Sequence, residues 1–293
     1  MATKCPICRS KKHDIVKRGV WDAPERNVLQ CQKCGTVWLC PMMTKPEAEG
    51  FYSDVGYKAR LRRISGKNKR AFLANKLRAA ARRQVNLLKI YFKKSDVWCD
   101  IGASTGVFLA AVKPYVKQAV AIEPGQPEQA ELAKRGITYY SFLERVPPVV
   151  KFNVVTMFHL FEHIDEPLAY LQELKKHLAR GALVFVELPN VDDALVSRYQ
   201  CEAFKKFYFQ SMHCFYYNEK TLSYIFARAG FKKVKCLYLQ RYPFSNHLQW
   251  LFNGQPGGNE EYEKNFKGIN KTYEKILVKA KATDTIMCIF RKK

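Results

Sequence analysis

Two pairs of cysteines near the amino terminus have the spacing of metal ligands. Cys5 and Cys8 form one CxxC pair, Cys31 and Cys34 form a second, and 22 residues lie between the pairs. Two thiolates at this short spacing can bind one side of a zinc ion, and a second pair completes a tetrahedron. Four thiolates leave no open position on the ion for a reactant. The spacing therefore predicts a structural zinc site and not a catalytic one.

A glycine loop between a strand-like and a helix-like segment could hold a nucleotide-like cofactor. The segment VWCDIGASTGVF contains Asp100, Gly102 and Gly106 but lacks the GxGxxG fingerprint of dinucleotide binding. Glu123 ends the next strand-like run, where a carboxylate can accept both hydroxyls of a ribose. Asp100 beside the turn would attract an ammonium group and would disfavour a pyrophosphate. S-adenosylmethionine carries both a ribose and an ammonium group, so the two acids favour it as the cofactor.

Three histidines lie in segments that could supply an acid–base group. His159 and His163 follow the fourth strand-like run, and His213 lies in the segment MHCFYY. Attack by a hydroxyl requires a group that takes its proton, and imidazole is the commonest base near neutral pH. We expect His213 to be this base, with His163 as the next candidate. The structural alternatives are that His213 packs in the core and that His163 only shapes the pocket.

These residues need a scaffold in which the ends of strands meet. Strand-like runs alternate with helical patterns in the central part of the chain, which indicates a parallel sheet built from βαβ units. The runs are residues 97–101, 118–123, 137–140, 152–158 and 182–188. A helix is expected from Asp165, with Pro167 in its first turn, Leu178 in its apolar stripe and Gly181 at its end. Ligands of such a sheet bind at the carboxyl ends of its strands.

The motifs together resemble the class I S-adenosylmethionine-dependent methyltransferases. The matching segments are DIGASTG (100–106), AIEP (121–124), FHLFEHIDEP (158–167) and LVFVELPN (183–190). The resemblance implies an α/β, Rossmann-like sheet of seven strands whose last strand is antiparallel, with residues 233–242 and 285–292 as the final pair. It also implies a set of cofactor-binding residues: Asp100, Gly102, Ser104, Gly106, Glu123, Phe158 and His159. Ser104 departs from the family pattern, which more usually has glycine at this position.

The order of a cysteine ribbon, a basic helix and this core looks like that of enzymes that methylate sugars in glycan or nucleotide-sugar synthesis. The segments 212–222 and 241–259 fit the same group. Related sugar C-methyltransferases have a Glu-His pair where this chain has Met212 and His213, so we expect methylation of oxygen. The residues expected to bind the sugar are Glu187, Asn190, Tyr216 and Asn246, with Tyr217 and Trp250 as further stacking candidates. Core packing is the alternative for the aromatic residues.

The chain divides by composition into a zinc ribbon at 1–45, a basic helical connector at 46–95 and a methyltransferase domain at 96–293, with a substrate-binding insertion at about 241–280. The net charge is +24, and residues 58–94 contain fourteen Lys or Arg and no acid. Such a field attracts polyanions such as RNA, an anionic membrane surface or a sugar phosphate. The alternative is a solvated helix face, because apolar residues recur at helical spacing from Leu73 to Phe92.

Two other functions compete with sugar methylation. The basic surface would suit an RNA methyltransferase, which would act on ribosomal or transfer RNA. A non-catalytic zinc-ribbon binding protein is the second rival, although the cofactor motif is intact. The chain starts without an apolar signal and contains no segment long enough to span a bilayer, so we expect a cytoplasmic protein, at most peripheral to the inner face of the membrane.

Overall fold

The computed structural model describes residues 3–44, 47, 69–258 and 266–293. Its strands are β1 (His13–Lys17), β2 (Asn27–Cys31), β3 (Val37–Cys40), β4 (Val97–Ile101), β5 (Gln118–Ile122), β6 (Thr138–Tyr140), β7 (Phe152–Phe158), β8 (Leu178–Pro189), β9 (Phe215–Tyr216), β10 (Phe231–Leu239) and β11 (Thr285–Lys292). Its helices are α1 (Lys69–Leu88), α2 (Val107–Val112), α3 (Gln126–Lys134), α4 (Pro167–Lys176), α5 (Ala194–Ser197), α6 (Glu202–Tyr208), α7 (Glu219–Arg228), α8 (Phe244–Asn253) and α9 (Lys267–Ala280).

Seven strands form a mixed sheet in the order β10-β11-β8-β7-β4-β5-β6. This order confirms the α/β, Rossmann-like sheet expected from the sequence. β4 pairs in parallel with both β5 and β7, and its last residue, Ile101, lies opposite Ile122 and Met157. The carboxyl ends of these three strands are therefore level, which is the arrangement that lets the loops after them share one ligand.

The helix and strand after the fourth β-run differ from the expectation. α4 begins at Pro167, two residues after the expected start at Asp165, and ends at Lys176, and Leu178 already belongs to β8. Gly181, expected to end the helix, lies inside β8 with φ of 73°. Glycine tolerates this backbone at a strand irregularity as readily as at a helix end, so the residue type alone did not distinguish the two.

The chain folds as two compact units. The sheet unit comprises Met43–Phe158, Gln172–Val184 and Lys292–Lys293, and the ribbon unit comprises Met1–Met42, His159–Leu171 and Phe185–Arg291. No helix in the described part of the chain combines the length and apolarity needed to cross a bilayer.

In the sheet unit, α1 is amphipathic. Ala81 and Leu88 are buried, whereas Lys76, Arg78 and Arg82 are exposed. The solvated face expected for this helix is thus present, and its affinity for polyanions stays a prediction. Much of the predicted basic connector, residues 46 and 48–68, lies outside the described residues, as do residue 45 of the predicted ribbon, the side chain of Leu73 and residues 259–265 of the predicted insertion.

In the ribbon unit, a small antiparallel sheet has the order β1-β2-β3-β9. Its fourth strand comes from far along the chain, with Val37 opposite Tyr216 and Trp38 opposite Phe215. One apolar core joins this sheet to the later helices: it includes Val28, Leu39, Phe209, Tyr216 and Trp250. The amino-terminal ribbon therefore shares its sheet and core with residues that follow β8.

Candidate active site

The loop after β4 has a tight backbone conformation. Gly102, Ser104 and Gly106 have φ of 75°, 49° and 72°, in the left-handed region that favours glycine. The backbone N–H of Gly102 donates to the carbonyl of Ile122 at 2.8 Å, which ties the loop to the end of β5. Ser104 adopts the left-handed conformation even though it carries a side chain.

Gly106 is required by packing as well as by conformation. A Cβ atom at this position would lie 2.4 Å from Cδ2 of Leu132 and 3.1 Å from Cδ1 of Ile137. A side chain at residue 106 would therefore force the buried side chain of Leu132 to move, in addition to straining the left-handed backbone.

Glu123, directly after β5, is bound to the glycine loop. Its Oε2 accepts a hydrogen bond from the N–H of Ser104 at 2.8 Å, and its Oε1 accepts one from the N–H of Gly125 at 3.0 Å. Burial raises the pKa of this carboxyl group, and the two N–H donors oppose that shift. A carboxylate has about four acceptor positions, so two remain for the hydroxyls of a ribose.

Asp100 is 3% exposed and lies on β4 just before the loop. Its Oδ1 accepts a hydrogen bond from the hydroxyl of Thr156 at 2.7 Å. Burial raises the pKa of Asp100 to about 7, with the Thr156 hydrogen bond lowering it and the charge of Glu123 raising it. A cationic ligand at this position would favour the ionised form of Asp100.

Phe158 ends β7 and is partly buried. Its ring packs edge-on against Phe108 of α2, with 4.9 Å between ring centroids and an interplanar angle of 75°. Phe158 therefore lies beside the helix that follows the glycine loop, and its predicted contact with the cofactor remains a prediction.

The ribbon unit contains a cavity of about 320 Å³, here called the aromatic cavity. Its lining consists of His159, Pro189, Asp193, Phe204, Phe207, Tyr208, Gln210, His213, Arg241, Tyr242, Asn246, Trp250, Pro256, Asp284 and Thr285. The rings of Phe204 and Phe207 each lie 5.2 Å from the Trp250 ring, centroid to centroid. The cavity thus combines aromatic faces with charged and hydrogen-bonding groups, as small-molecule sites do.

One polar side of the cavity is organised by Arg241 and Asp284. Oδ2 of Asp284 accepts hydrogen bonds from the N–H groups of Arg241 and Tyr242, at 2.7 and 3.0 Å. The guanidinium Nη1 of Arg241 lies 2.6 Å from Nε2 of His159. The Nε2 atom of His159 also lies 3.4 Å from Oε1 of Glu187.

A second histidine cluster contains Glu162, His163 and His213, whose ligand-type atoms all lie within 4.8 Å of one another. The rings of His163 and His213 meet edge-on, with centroids 4.9 Å apart. Burial alone would raise the pKa of Glu162, but hydrogen bonding to His159 and the charges of the neighbouring histidines lower it to about 2. Both predicted bases therefore lie together, and they share a carboxylate that sequence reasoning had not assigned to the site.

The family is decided by comparison with known domains. A sequence profile described as a methyltransferase domain matches residues 70–235, which is more than half of the chain. The chain belongs to this methyltransferase family. It is an S-adenosylmethionine-dependent methyltransferase, as the cofactor motif predicted.

Solved structures show the same fold. A SAM-dependent methyltransferase from Archaeoglobus fulgidus is 18% identical with a TM-score of 0.52, over 73% of this chain and 94% of that one. Magnesium protoporphyrin IX methyltransferase from Synechocystis PCC 6803, solved with bound SAH, is 11% identical with a TM-score of 0.52, over 85% of this chain and 100% of that one. A comparison with curated proteins finds no match.

Not all residues predicted to bind the substrate of this methyltransferase are available to it. Asn190 is fully buried; its Nδ2 donates to the carbonyls of Lys281 and Thr283, and its Oδ1 accepts from the N–H of Asp192. These bonds join the Asn190 side chain to the backbone of three other residues, so Asn190 stabilises the fold. Glu187 is also fully buried, and its Oε1 lies 3.4 Å from Nε2 of His159.

Some of the aromatic residues predicted to bind substrate are also buried in the core, and others line the cavity. Tyr216 is 2% exposed, and its hydroxyl both donates to the carbonyl of Gln210 and accepts from the N–H of Gln210, so it packs in the core. Tyr217 is fully buried as well. Trp250 and Asn246, by contrast, line the aromatic cavity. Helical and strand-like spacing in the sequence carries no information on which aromatic residues reach a cavity.

The segment that carries His213 is fastened to the amino-terminal ribbon of the methyltransferase. Asp22 accepts two hydrogen bonds from Ser211, one from its N–H at 2.9 Å and one from its hydroxyl at 2.8 Å. The N–H of Leu39 donates to the carbonyl of Cys214 at 3.0 Å. His213 therefore lies between two anchors provided by residues before position 45.

The four cysteines of the CxxC pairs converge. All four Sγ atoms lie within 4.8 Å of one another, with Cys8 and Cys31 at 3.4 Å and Cys5 and Cys34 at 3.7 Å. Four sulfurs about 2.3 Å from a central zinc ion would be roughly 3.8 Å apart at the corners of a tetrahedron. The donor set and its spacing thus fit a structural zinc ion.

Two cysteines outside this cluster are bonded to each other. Cys236 of β10 and Cys288 of β11 form a disulfide, with their Cα atoms 4.0 Å apart. The two strands are neighbours in the sheet, which brings the residues together although 52 positions separate them.

Proposed function

We propose that this methyltransferase transfers the methyl group of S-adenosylmethionine to a hydroxyl group of a sugar bound in the aromatic cavity. The observation that carries the proposal is the composition of that cavity, in which the aromatic residues Phe204, Phe207 and Trp250 occur together with Asp284 and Asn246. Aromatic faces pack against the C–H face of a sugar ring, and carboxylates and amides bind its hydroxyls.

Asp284 and Asn246 are the groups proposed to bind sugar hydroxyls. Oδ1 of Asp284 is buried and has no hydrogen-bond partner among the described residues, while its Oδ2 is used by the backbone of Arg241 and Tyr242. A buried carboxylate oxygen without a donor is unfavourable, and a sugar hydroxyl would supply one. Asn246 donates to the carbonyl of Gly257, which leaves its Oδ1 as an acceptor.

The donor is proposed to bind to the loop after β4. Glu123 would accept the ribose hydroxyls and Asp100 would attract the ammonium group, directly or through water. Gly102, Ser104 and Gly106 would line this site with backbone. Methyl transfer is an in-line displacement, so much of the rate comes from holding the acceptor oxygen, the methyl carbon and the sulfur in line.

The proton of the acceptor hydroxyl is proposed to leave at the cluster of Glu162, His163 and His213. Of the two predicted bases, His213 lines the aromatic cavity, and His163 is not among its lining residues. Glu162 supplies from another segment the carboxylate that is absent at Met212, so the proposal of methylation on oxygen rests on the hydroxyl-binding groups of the aromatic cavity. Product analysis decides: a methyl ether supports the proposal, and a new carbon–carbon bond contradicts it.

The acceptor class is tested with labelled S-adenosylmethionine and separate nucleotide-sugar, glycan and RNA fractions from the source cells. We expect label in a sugar fraction and a mass increase of about 14 Da, as one methylene requires. Trp250→Ala should raise the acceptor KM, whereas Phe252→Ala should not, because Phe252 lies on the same helix but is 80% exposed. Label confined to RNA would overturn the sugar assignment and favour the RNA methyltransferase.

The four clustered cysteines are proposed to bind one structural zinc ion. Their thiolates would provide a closed tetrahedral shell, so the ion would stabilise the ribbon sheet and leave the chemistry to other residues. We expect Cys34→Ser to lose this zinc in elemental analysis of the purified protein. Cys40→Ser, which removes a half-buried cysteine outside the cluster, serves as the control.

A further inference from the structure

The cluster of Glu162, His163 and His213 has the geometry of a second metal site, separate from the cysteines. Glu162 and His163 lie on a single 3₁₀ turn, Phe161–His163, and His213 lies on the segment before β9. Their ligand-type atoms lie within 4.8 Å of one another. Two ligands about 2.1 Å from an ion are at most about 4.2 Å apart, so the cluster is close to binding distance, and small side-chain movements would bring it there.

His163 is oriented in the manner of a metal ligand. Its Nδ1 lies 2.9 Å from the carbonyl oxygen of Met212. A carbonyl can only accept, so Nδ1 carries a proton, and Nε2 is the ring nitrogen that would bind an ion. Metal-binding histidines are typically fixed in this way, by a carbonyl or carboxylate that accepts from the second ring nitrogen.

Glu162 supplies an independent indication of a missing partner. The residue is 2% exposed, and its Oε2 is buried without a hydrogen-bond partner among the described residues. Oε1 faces His159, with 3.7 Å between Oε1 and Nδ1. An ionised oxygen buried without a donor is unfavourable, and a cation bound to it would remove that penalty.

We propose that Glu162, His163 and His213 bind a divalent first-row transition-metal ion. Two imidazoles and one carboxylate suit such ions better than Ca²⁺ or Mg²⁺, which prefer oxygen ligands alone. Three protein ligands leave coordination positions open. Because His213 lines the aromatic cavity, an ion bound to it would be close to an acceptor in that cavity.

This inference rests on the proposed function for its chemical role. An acceptor hydroxyl bound at an open position would have its pKa lowered, because a bound cation stabilises the alkoxide. Its proton would pass to solvent, the oxygen electron pair would form the bond to the methyl carbon, and the carbon–sulfur bond would break to leave neutral S-adenosylhomocysteine. His213 would then act as a ligand, and the ion would replace it as the group that activates the hydroxyl.

The test is titration of metal-depleted protein with Co²⁺, followed by absorption spectroscopy and elemental analysis. Co²⁺ bound by thiolates gives an intense sulfur-to-metal band, whereas Co²⁺ bound by nitrogen and oxygen gives only weak visible bands. We expect two ions per chain in the wild type and one in Glu162→Gln and His213→Ala, with the thiolate band retained. Glu173→Gln is the matched control, because Glu173 also lies 3.7 Å from a histidine, His177, but has no part in the cluster.

Retention of the thiolate band is the criterion that the ribbon of a variant is folded. His213→Ala provides a second variant if Glu162→Gln does not fold. One cobalt ion in the wild type, bound entirely by thiolates, would overturn the metal proposal. The proposed function fails separately: two ions with no methyl transfer to any sugar contradict the sugar assignment alone. Full sugar methylation by protein that holds only the thiolate-bound ion contradicts the metal proposal alone.

Discussion

Replacement of Asp100 by asparagine should stabilise the free protein while it weakens the binding of S-adenosylmethionine. Asp100 is 3% exposed, and burial raises its pKa from 3.8 to about 7. Above pH 7 the ionised carboxylate is held in a site that favours its neutral form. The asparagine side chain removes that charge and keeps an oxygen for the hydroxyl of Thr156, which donates at 2.7 Å.

The sign and size of the effect follow from proton linkage. The folded state binds the Asp100 proton more tightly than the unfolded state, so its contribution to stability is complete below pH 3.8 and is lost as the pH rises through about 7. At about 1.4 kcal/mol per pKa unit, the raised pKa destabilises the folded state by about 4.3 kcal/mol at pH 8, where Asp100 is ionised in both states, and by about 1.7 kcal/mol at pH 5, where it is ionised mainly in the unfolded state. The free energy of unfolding of Asp100→Asn relative to wild type should therefore rise by roughly 3 kcal/mol between these pH values.

The assay is urea unfolding of both proteins at pH 5 and pH 8, with and without S-adenosylmethionine. An ammonium group near Asp100 would favour its ionised form, so the affinity of the wild type for the donor should increase as the pH rises towards 7. Asp100→Asn should lose this pH dependence together with most of the affinity. Asp96→Asn, a change just before the same strand, is the control. An equal stability difference between Asp100→Asn and wild type at both pH values would show that the pKa of Asp100 is not raised in the folded state.

Three further outcomes are expected. Gly106→Ala should lower stability by about 1–3 kcal/mol and abolish donor binding, because it combines left-handed backbone with a contact of 2.4 Å. Gly181→Ala, which has a similar φ but no neighbour within 4 Å, should be less destabilising in a thermal melt and should retain donor binding. Asp22→Asn should lose about 1–2 kcal/mol of hydrogen bonding to Ser211 and lower kcat while the donor KM stays unchanged, as steady-state kinetics would show. Cys34→Ser should release the predicted zinc and lower kcat through the same segment, so zinc loss with unchanged kcat would contradict that link.

The sheet and the cofactor loop could be predicted because their signals are local. β4, β7 and β11 have the expected bounds, since each is a short run dominated by apolar residues. The acids Asp100 and Glu123 follow from their positions at strand ends. Gly181 was assigned wrongly because glycine serves both a helix end and a strand irregularity, and only the tertiary contacts of β8 distinguish the two.

The acceptor site was less predictable because its residues are brought together by long-range contacts. Arg241 and Asp284 lie 43 positions apart and have no shared motif, so their pairing was not recognised. Glu162 had a local signal, since it stands immediately before His163, but its proximity to His213 depends on the fold. Asn190 and Tyr216 were expected to bind substrate because polar and aromatic types can do so, whereas their hydrogen bonds show that they hold backbone.

The fourth strand of the ribbon sheet has a consequence for folding during synthesis. β3 leaves the ribosome early, but the strand that pairs with it, β9, is translated much later. Val37 of β3 pairs with Tyr216 of β9. At about 5–20 residues per second, roughly 10–40 s separate the synthesis of the two strands. During that interval the nascent ribbon has an open edge at β3, and edges of this kind attract other chains. Early binding of zinc by the first 34 residues would keep that part of the growing chain compact until β9 has been synthesised.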